Sequence, residues 1–508
     1  MRRGFGERSA FRFELGEEKF SLFPDLSFCS YVGRMRKTPI FSLCWISPSL
    51  LLALLICGCD SPQRWPKGSS RDHAFISHFP SPEGSTKLKL ALKDNIDMEG
   101  VVTTVGSEYF AKTRQPAEQD ADCLAIARRR GVEIVGKTNL SEFAVYPSGI
   151  NDYYGTPRSP LSRWKKLIPG GSSSGCAYVV ATGKADVAFG TDTAGSVRVP
   201  AACCGVVGLK TTFGLVSLKG LHPVEPEHLD TVGPIARDIA GVAMGMDLLE
   251  DGFAARYAAA VVATPSAQAI KIGRLNLRGT DQRIDRAVDE ALERAGFQVI
   301  PLGDSFRAKW EQAQRDGNTL AASGAYKSNR AYVRKLGVTA RTKSVLTVGA
   351  VALSTQYQAA LGRRSEWKRT LERVLESVDF IAVPTMQILP APVPPSLKFD
   401  ILKARFGFSN LINTSLFTLN NPRKILSYVP TASLRLIGVD LLEADLANLQ
   451  NTAAVNFAGN PALALPIPLE DGPVSVTSLQ LIGPRFSESK LLATGLLLGE
   501  KTQQKVGN

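Results

Sequence analysis

The sequence predicts an α/β fold for most of its 508 residues, and three observations indicate it. Segments with the pattern of buried strands alternate with segments that have the periodicity of helices. The 44 glycines suit the many tight turns that join strands to helices in such folds. A hydrophobic content of 44% with 21% charged residues is typical of a globular chain, which at this length holds one large domain or about two to three of average size.

The first predicted elements alternate strictly between strand and helix. Strands are identified by alternating or continuous apolar residues, and helices by longer apolar periodicity that ends at glycine. In chain order they are a strand at 87–92, a helix at 122–130, a strand at 132–135, a helix at 176–182 and a buried strand at 187–189.

A helix is then predicted at 238–251 and a flexible crossing at 258–269. A second α/β portion begins at Ile272, with a strand from that residue, a helix at 283–295, a strand at 298–301, a polar helix at 366–377 and a buried strand at 379–384. Residues 389–442 are proline-rich and then apolar with few charges. We expect this divergent region to line or cover the substrate pocket and to determine the substrate.

Charge and cysteine usage exclude several classes of function. The net charge is +13, but lysines and arginines are scattered and aromatic residues make up only 8% of the chain, so we expect a solvated surface and no nucleic-acid partner. No spacing among the eight cysteines resembles a zinc site. Buried thiols are therefore predicted at the four cysteines after residue 60, which are Cys123, Cys176, Cys203 and Cys204, and no metal is expected.

The N-terminal part predicts export. Residues 1–34 are polar and of mixed charge, and form an unstructured extension or the product of a wrongly assigned start before Met35. Residues 35–59 have a basic start, an uncharged apolar core and a small-residue end, as in a secretory signal. They also resemble a bacterial lipoprotein signal in which Cys59 is lipidated, and a membrane anchor is a further alternative. Residues 60–84 are predicted to be a linker, which places the catalytic domain outside the cytoplasm, anchored at its N-terminus.

Two glycine- and serine-rich loops flank the helix predicted at 176–182. The first glycine loop is 170–175, Gly-Gly-Ser-Ser-Ser-Gly, and the second glycine loop is 190–198, Gly-Thr-Asp-Thr-Ala-Gly-Ser-Val-Arg. Glycine permits backbone angles at which several N–H groups converge on one point, as an oxyanion requires. A flexible linker or a phosphate-binding loop is the alternative for such a string, but the Gly-Lys-Ser/Thr of a phosphate-binding loop does not follow Gly171.

Histidine cannot easily serve as the base for these serines. The four histidines of the chain all lie outside the two loops, at His73, His78, His222 and His228. A lysine that burial keeps neutral can replace histidine, with an intermediate hydroxyl relaying the proton. Lys93, at the end of the first strand, and Lys137 are the two candidates.

These motifs together resemble the amidase signature family. The resemblance rests on the two glycine loops, on Lys93-Asp94-Asn95 and on the run Cys204-Gly-Val-Val-Gly-Leu-Lys210. It implies a large twisted mixed sheet covered by helices on both faces, with a catalytic domain at 85–502. Two residues depart from the family pattern, because Ala194 replaces glycine and Thr211 replaces proline.

The resemblance assigns roles residue by residue. It implies that Ser196 is the nucleophile, that Ser172, after a cis peptide bond, relays protons, and that Lys93 is the base. The implied oxyanion donors are the N–H groups of Thr193, Ala194, Gly195 and Ser196, and the implied supporting residues are Ser173, Asp192 and Arg198. Lys137 is placed outside the triad.

The predicted function is that of an amidohydrolase. It cleaves the C–N bond of a small-molecule amide through an acyl-enzyme intermediate and needs no cofactor. The alternative is the catalytic subunit of a glutamine-dependent tRNA amidotransferase, and a third possibility is a binding protein that has lost catalysis. Neither the substrate nor the oligomeric state follows from the sequence.

Overall fold

Eleven strands form one mixed sheet in the part of the chain that the computed structural model describes, residues 69–393, 441–470 and 472–503. The strands are β1 (Phe75–His78), β2 (Lys89–Lys93), β3 (Glu133–Thr138), β4 (Val187–Asp192), β5 (Val207–Lys210), β6 (Thr231–Ala236), β7 (Lys271–Arg274), β8 (Gln298–Pro301), β9 (Phe380–Pro384), β10 (Ala462–Pro468) and β11 (Val476–Ile482). Their order across the sheet is β1-β3-β2-β4-β6-β5-β10-β11-β9-β7-β8. The predicted α/β class and large mixed sheet are confirmed.

Helices connect and cover these strands. They are α1 (Glu108–Thr113), α2 (Ala125–Arg129), α3 (Ser174–Ala181), α4 (Arg198–Cys204), α5 (Ile239–Asp247), α6 (Phe253–Ala263), α7 (Gln282–Ala295), α8 (Asp304–Asn329), α9 (Ala340–Thr355), α10 (Tyr357–Leu375), α11 (Leu441–Leu449), α12 (Ala453–Ala458) and α13 (Glu488–Gln503). Short 3₁₀ turns lie at Asp122–Leu124, Glu142–Ala144, Ala267–Ala269 and Arg330–Tyr332.

The parallel strands β3, β2 and β4 position the site. β2 lies between the other two, with Lys93 opposite Thr138 of β3 and Leu92 opposite Phe189 of β4. The carboxyl ends of parallel strands meet at one edge of a sheet, so the residues that follow these strands come together there. Residues 90–93 of β2 are fully buried, which explains the apolar run before the lysine.

Apolar residues on both faces of the sheet form the core. One cluster joins strand residues such as Leu92 and Phe189 to α5, α7 and α13. A second cluster centres on Trp310 of α8 and Trp367 of α10, whose rings meet edge to face at 5.8 Å. The helices α8 and α10 are thus fixed to the sheet by large aromatic side chains.

Several predicted elements differ from the observed ones. The first half of the crossing expected at 258–269 belongs to helix α6, because its alanines favour helix even without clear capping residues. The linker expected at 60–84 contains β1, which pairs antiparallel with β3. Residues 1–68 and 394–440 lie outside the described residues, so the expectations about the N-terminal segments and most of the divergent region stay predictions.

Candidate active site

Lys93 lies fully buried at the end of β2, facing the first glycine loop. Its Nζ is 2.7 Å from Ser172 Oγ, 2.9 Å from Thr191 Oγ1 and 3.3 Å from the main-chain oxygen of Thr191. All three partners are neutral oxygens, so among the described residues no direct ion pair holds a charge on the amine. Burial lowers the pKa of Lys93 to about 8, against a smaller opposing influence of Cys176 and nearby carboxylates.

The first glycine loop presents Ser172 to that lysine. The peptide bond Gly171–Ser172 is cis, as the family resemblance implied. Ser173, also buried, donates its N–H to the main-chain oxygen of Ser196 at 3.3 Å, which joins the first glycine loop to the second. Helix α3 begins at Ser174 directly after the loop.

The second glycine loop brings Ser196 to a cavity, where the residue is half-buried. Thr193 and Ala194 line the same cavity. In the described part of the chain, no main-chain acceptor takes the N–H of Thr193, Ala194 or Ser196. The N–H of Gly195 differs, because it is donated to Asp192 Oδ1 at 2.7 Å. Of the four N–H groups expected to bind an oxyanion, three thus have no main-chain acceptor among the described residues, and the oxyanion role itself stays a prediction.

Gly195 is required by the shape of the loop. Its φ is +138°, and a Cβ there would lie 2.3 Å from Thr452 Oγ1, too close for any other residue. Thr452 in turn donates its hydroxyl to the main-chain oxygen of Ala194. Thr452, in the C-terminal part of the chain, thus holds the segment directly before Ser196 in place.

A buried ion pair fixes the second glycine loop. The Arg198 guanidinium contacts both carboxylate oxygens of Asp192, at 3.0 Å through Nε and 2.9 Å through Nη2. Burial alone raises the pKa of Asp192, but Arg198 outweighs it, and the pKa lies well below its usual range. Arg198 also donates to Gln480 Oε1 at 2.5 Å and to Asn456 Oδ1. The supporting residues Asp192 and Arg198 predicted from the sequence are therefore in direct contact.

Lys137 is equally buried but is engaged elsewhere. Its Nζ lies 2.9 Å from Asp94 Oδ1 and donates to Thr103 Oγ1 at 3.0 Å. The Asp94 carboxylate also accepts from the N–H and the hydroxyl of Thr104, at 3.0 and 2.5 Å. Lys137 therefore lies in a buried ion pair with Asp94.

Cys176 is packed rather than reactive. Its Sγ lies 3.0 Å from Thr138 Oγ1 on the protein interior side of α3, and burial raises the pKa of the thiol to about 11. A thiol with this pKa is protonated at neutral pH and is a poor nucleophile. The predicted buried state of Cys123, Cys203 and Cys204 is also observed.

The cavity beside Ser196 has a volume of about 420 Å³, within the range of small-molecule sites. Its walls are the loop 144–147, the second glycine loop, and faces of α8, α9 and α11. Apolar side chains of valine and alanine dominate these walls. The arrangement suits an acyl group bound beside a serine hydroxyl.

One group in the described residues has the composition of a metal site. Ligand atoms of Glu225, Glu227 and His228 lie within 4.8 Å of one another. Both carboxylates already have partners, since Tyr357 donates to Glu225 at 3.4 Å and Lys327 to Glu227 at 3.1 Å. The cationic lysine makes this an ion-pair cluster.

Sequence reasoning missed four residues that hold the site. Thr191 binds the lysine amine, and Asp230 accepts the hydroxyl of Thr193 at 2.6 Å. Asn456 and Gln480 bind Arg198 from α12 and β11. Asp230, Asn456 and Gln480 lie outside the two glycine loops, and no local spacing in the sequence links them to those loops.

Comparison with known proteins identifies relatives over most of the chain. The glutamyl-tRNA(Gln) amidotransferase A chain of Natronomonas pharaonis is 32% identical over 84% of this chain and 99% of its own length. The solved structure of the protein of the same name from Thermotoga maritima superimposes with a TM-score of 0.60 at 24% identity, covering 82% and 85% of the two chains. That of 6-aminohexanoate cyclic dimer hydrolase gives 0.61 at 21% identity, with 82% and 85% coverage. The two structural likenesses establish the fold.

The comparisons contradict the prediction that the protein is exported and anchored in a membrane. The relatives that cover about four-fifths of the chain are named as components of an amidotransferase of glutamyl-tRNA(Gln), a substrate that an exported chain does not meet. Across the described ranges, no helix combines the length and apolar character needed to cross a membrane. The segment that suggested export, 35–59 with the lipidation candidate Cys59, lies outside those ranges. The prediction rested on the composition of this segment, an uncharged apolar run after a basic pair, and composition alone does not establish export.

The last comparison is between this chain and known protein families. The family named Amidase matches residues 88–394, which is more than half of the chain and includes both glycine loops, Lys93 and Lys137. The chain therefore belongs to the amidase family of enzymes that act on carbon–nitrogen bonds.

Proposed function

We propose that this protein cleaves the C–N bond of a carboxamide by nucleophilic catalysis, with Ser196 as nucleophile, Ser172 as proton relay and Lys93 as base. The observation that carries the proposal is the buried Lys93 amine 2.7 Å from Ser172 Oγ, in a loop bonded to that of Ser196. A pKa of about 8 leaves part of the amine neutral at physiological pH, as a base requires.

Each proton that moves in the proposed mechanism has a donor and an acceptor among the residues of the chain and the substrate. Lys93 takes the proton of Ser172 as Ser172 takes that of Ser196, and Ser196 Oγ bonds to the amide carbon. The carbonyl oxygen becomes an oxyanion, which the N–H groups of Thr193, Ala194 and Ser196 stabilise, each typically by about 2.7 to 4 kcal/mol. The proton then returns through Ser172 to the nitrogen, and the C–N bond breaks. Water completes hydrolysis of the acyl-enzyme by the same route in reverse.

For the source of the amide, the relatives favour glutamine. Chains named as the A component of glutamyl-tRNA(Gln) amidotransferase match this chain at 28–32% identity. We therefore propose that the protein releases ammonia from glutamine for the amidation of charged tRNA. In this role it assembles with partner proteins and with tRNA. This replaces the expectation of an enzyme without a nucleic-acid partner.

A stand-alone amidohydrolase is the second candidate, and the cavity favours it. Ten of the 22 residues that line the cavity are valine or alanine, a surface that suits an apolar acyl group, although Arg315, Asn318 and Glu443 also line it. The two candidates share the acyl-enzyme chemistry and differ in the substrate and in the fate of the ammonia.

Ammonia release from purified protein tests both candidates. We expect cleavage of glutamine if the first is correct, with stimulation by partner proteins and glutamyl-tRNA. Cleavage of aliphatic or aromatic amides without glutamine turnover supports the second. A serine-reactive fluorophosphonate should label the wild type and not Ser196→Ala. Labelling that persists in Ser196→Ala contradicts the assignment of the nucleophile.

A further inference from the structure

One face of helix α9 forms an apolar wall of the cavity beside Ser196. Val345, Val348 and Ala352 line the cavity from positions three and four residues apart, which share one face of a helix. Val348 is 49% exposed, so this face is not covered by other side chains in the described parts of the chain. An acyl group attached to Ser196 and extending along the cavity meets this face.

Glu142 holds the N-terminal end of that helix. Thr339, the residue before α9, donates its N–H to Glu142 Oε2 at 3.0 Å and its hydroxyl at 2.6 Å. Thr342, in the first turn, donates its hydroxyl to the same oxygen at 2.6 Å. The other oxygen, Oε1, accepts the hydroxyl of Ser107 at 2.6 Å. The side chain is almost fully buried, so both carboxylate oxygens depend on these protein donors.

The backbone of the same residue supports another wall of the cavity. Residues 144–147, which also line the cavity, follow Glu142 after one intervening residue, Phe143. The N–H of Glu142 is donated to Tyr146 Oη at 3.2 Å, and Ala144 has a φ of +59°. One residue thus joins two walls, the loop through its main chain and the helix through its carboxylate.

A second link runs parallel to the first. Arg341, in the first turn of α9, contacts Glu443 Oε1 through Nη1 at 3.1 Å. Glu443, on α11, also accepts the hydroxyl of Ser148 at 2.6 Å and so ties helix α11 to the end of the same loop. The contacts of Glu142 and of Arg341 both hold the first turn of α9. This turn therefore determines the distance between α9 and the loop 144–147.

We propose that Glu142 is a specificity-determining positioning residue: by fixing the first turn of α9 against the loop 144–147, it sets the depth at which the cavity contacts the acyl group of the amide. The inference rests on the proposed function, because it concerns the acyl group bound to Ser196. It holds for either source of the amide, since in both the acyl group extends from Ser196 into the same cavity.

The kinetic test uses acetamide, butyramide and hexanamide as substrates. In the wild type, KM should fall as the chain lengthens, by about threefold for each methylene that contacts α9. In Glu142→Ala the ratio of the KM for hexanamide to that for acetamide should rise about tenfold, as contact with about two methylenes is lost. Glu142→Gln should restore the wild-type ratio, because its amide oxygen can accept from the threonines while its NH₂ group faces Ser107.

The matched control is Asp238→Ala, which removes a helix cap away from the cavity. Asp238 accepts the N–H of Gly241 at 2.8 Å at the start of α5, so its loss weakens a helix end without touching α9. The KM ratio should stay at the wild-type value in this variant. An unchanged ratio in Glu142→Ala, or an equal change in Asp238→Ala, overturns the inference.

Amide hydrogen exchange separates this inference from the proposed function. Exchange in residues 340–355 should be faster in Glu142→Ala than in Glu142→Gln or wild type, whether or not any amide is cleaved. Equal exchange in all three proteins overturns the inference. If the wild type cleaves no amide and Ser196 is not labelled by the fluorophosphonate, the proposed function fails, while exchange still decides the role of Glu142.

Discussion

Lys93 and Lys137 lie near the ends of two neighbouring parallel strands and are equally buried, but the groups around them differ in charge. The Lys137 amine meets the carboxylate of Asp94 at 2.9 Å, whereas the Lys93 amine meets the hydroxyls of Ser172 and Thr191. A carboxylate holds a lysine in its charged form, and neutral oxygens in a buried site do not. Burial alone thus does not make a base; neutral rather than anionic partners are also needed.

The largest expected effect concerns catalysis, and it separates the two lysines. Lys93→Met should lower kcat/KM by more than about a thousandfold, since a triad without its base retains little activity. Its free energy of unfolding should stay equal or increase, because an apolar side chain replaces a buried amine whose partners are neutral. Amide turnover and urea denaturation measure both. A Lys93→Met protein that loses stability as well as activity would contradict the contrast between the two lysines.

The next largest effect concerns stability. Lys137→Met leaves the Asp94 carboxylate buried without its cation, which should cost about 3–5 kcal/mol of unfolding free energy. Activity per folded molecule should change far less than in Lys93→Met. The double variant with Asp94→Asn removes the unpaired charge and should recover part of the loss. Equal free energies of unfolding in the single and double variants would show that the unpaired Asp94 carboxylate does not cause the loss of stability.

The pH dependence should follow the neutral form of Lys93. Because its pKa is lowered to about 8, the fraction of free amine rises as pH increases, so kcat/KM should rise about tenfold per unit at low pH and level off above about pH 8. A rate profile between pH 6 and 10 measures the midpoint. Lys137→Met should not move it, and a profile that is flat over this range would refute Lys93 as the base.

The smallest expected effect tests the neutral partners of Lys93. Thr191→Val removes the hydroxyl at 2.9 Å from the amine, which should lower the pKa of Lys93 further and reduce the plateau of kcat/KM about fivefold. Thr138→Val is the control, because that hydroxyl donates to the main-chain oxygen of Leu92 at 3.2 Å and not to the amine. If the midpoint of the pH–rate profile shifts equally in Thr191→Val and Thr138→Val, the effect comes from less ordered packing of the strands and not from the hydroxyl beside the amine.

The groups proposed to react could be identified from the sequence because short motifs carry them. Lys93, Ser172 and Ser196 lie in runs whose residue types and spacing are specific when taken together, and strand β8 was predicted at its observed bounds. These features depend on local sequence, where each residue constrains its neighbours.

Helix α8 was not predicted from the sequence. Gly317 and Gly324 lie in a 26-residue helix, where a Cβ at Gly317 would come within 2.6 Å of the main-chain oxygen of Ala453. At Gly324 a Cβ would lie 2.0 Å from Glu225 Oε2. Both glycines permit close packing, which depends on contacts that sequence patterns do not show. The walls of the cavity were unpredictable for the same reason.

The contacts of Arg198 have a consequence for synthesis on the ribosome. Its partners Asn456 and Gln480 lie 258 and 282 positions later in the chain, and strands β10 and β11 insert between β5 and β9 in the middle of the sheet. A nascent chain therefore carries every residue proposed to react long before the segments that hold the second glycine loop in place have emerged. Pairing over such separations is slow to form. We therefore expect the proposed amide chemistry to begin only after β10 and β11 have left the ribosome and joined the sheet.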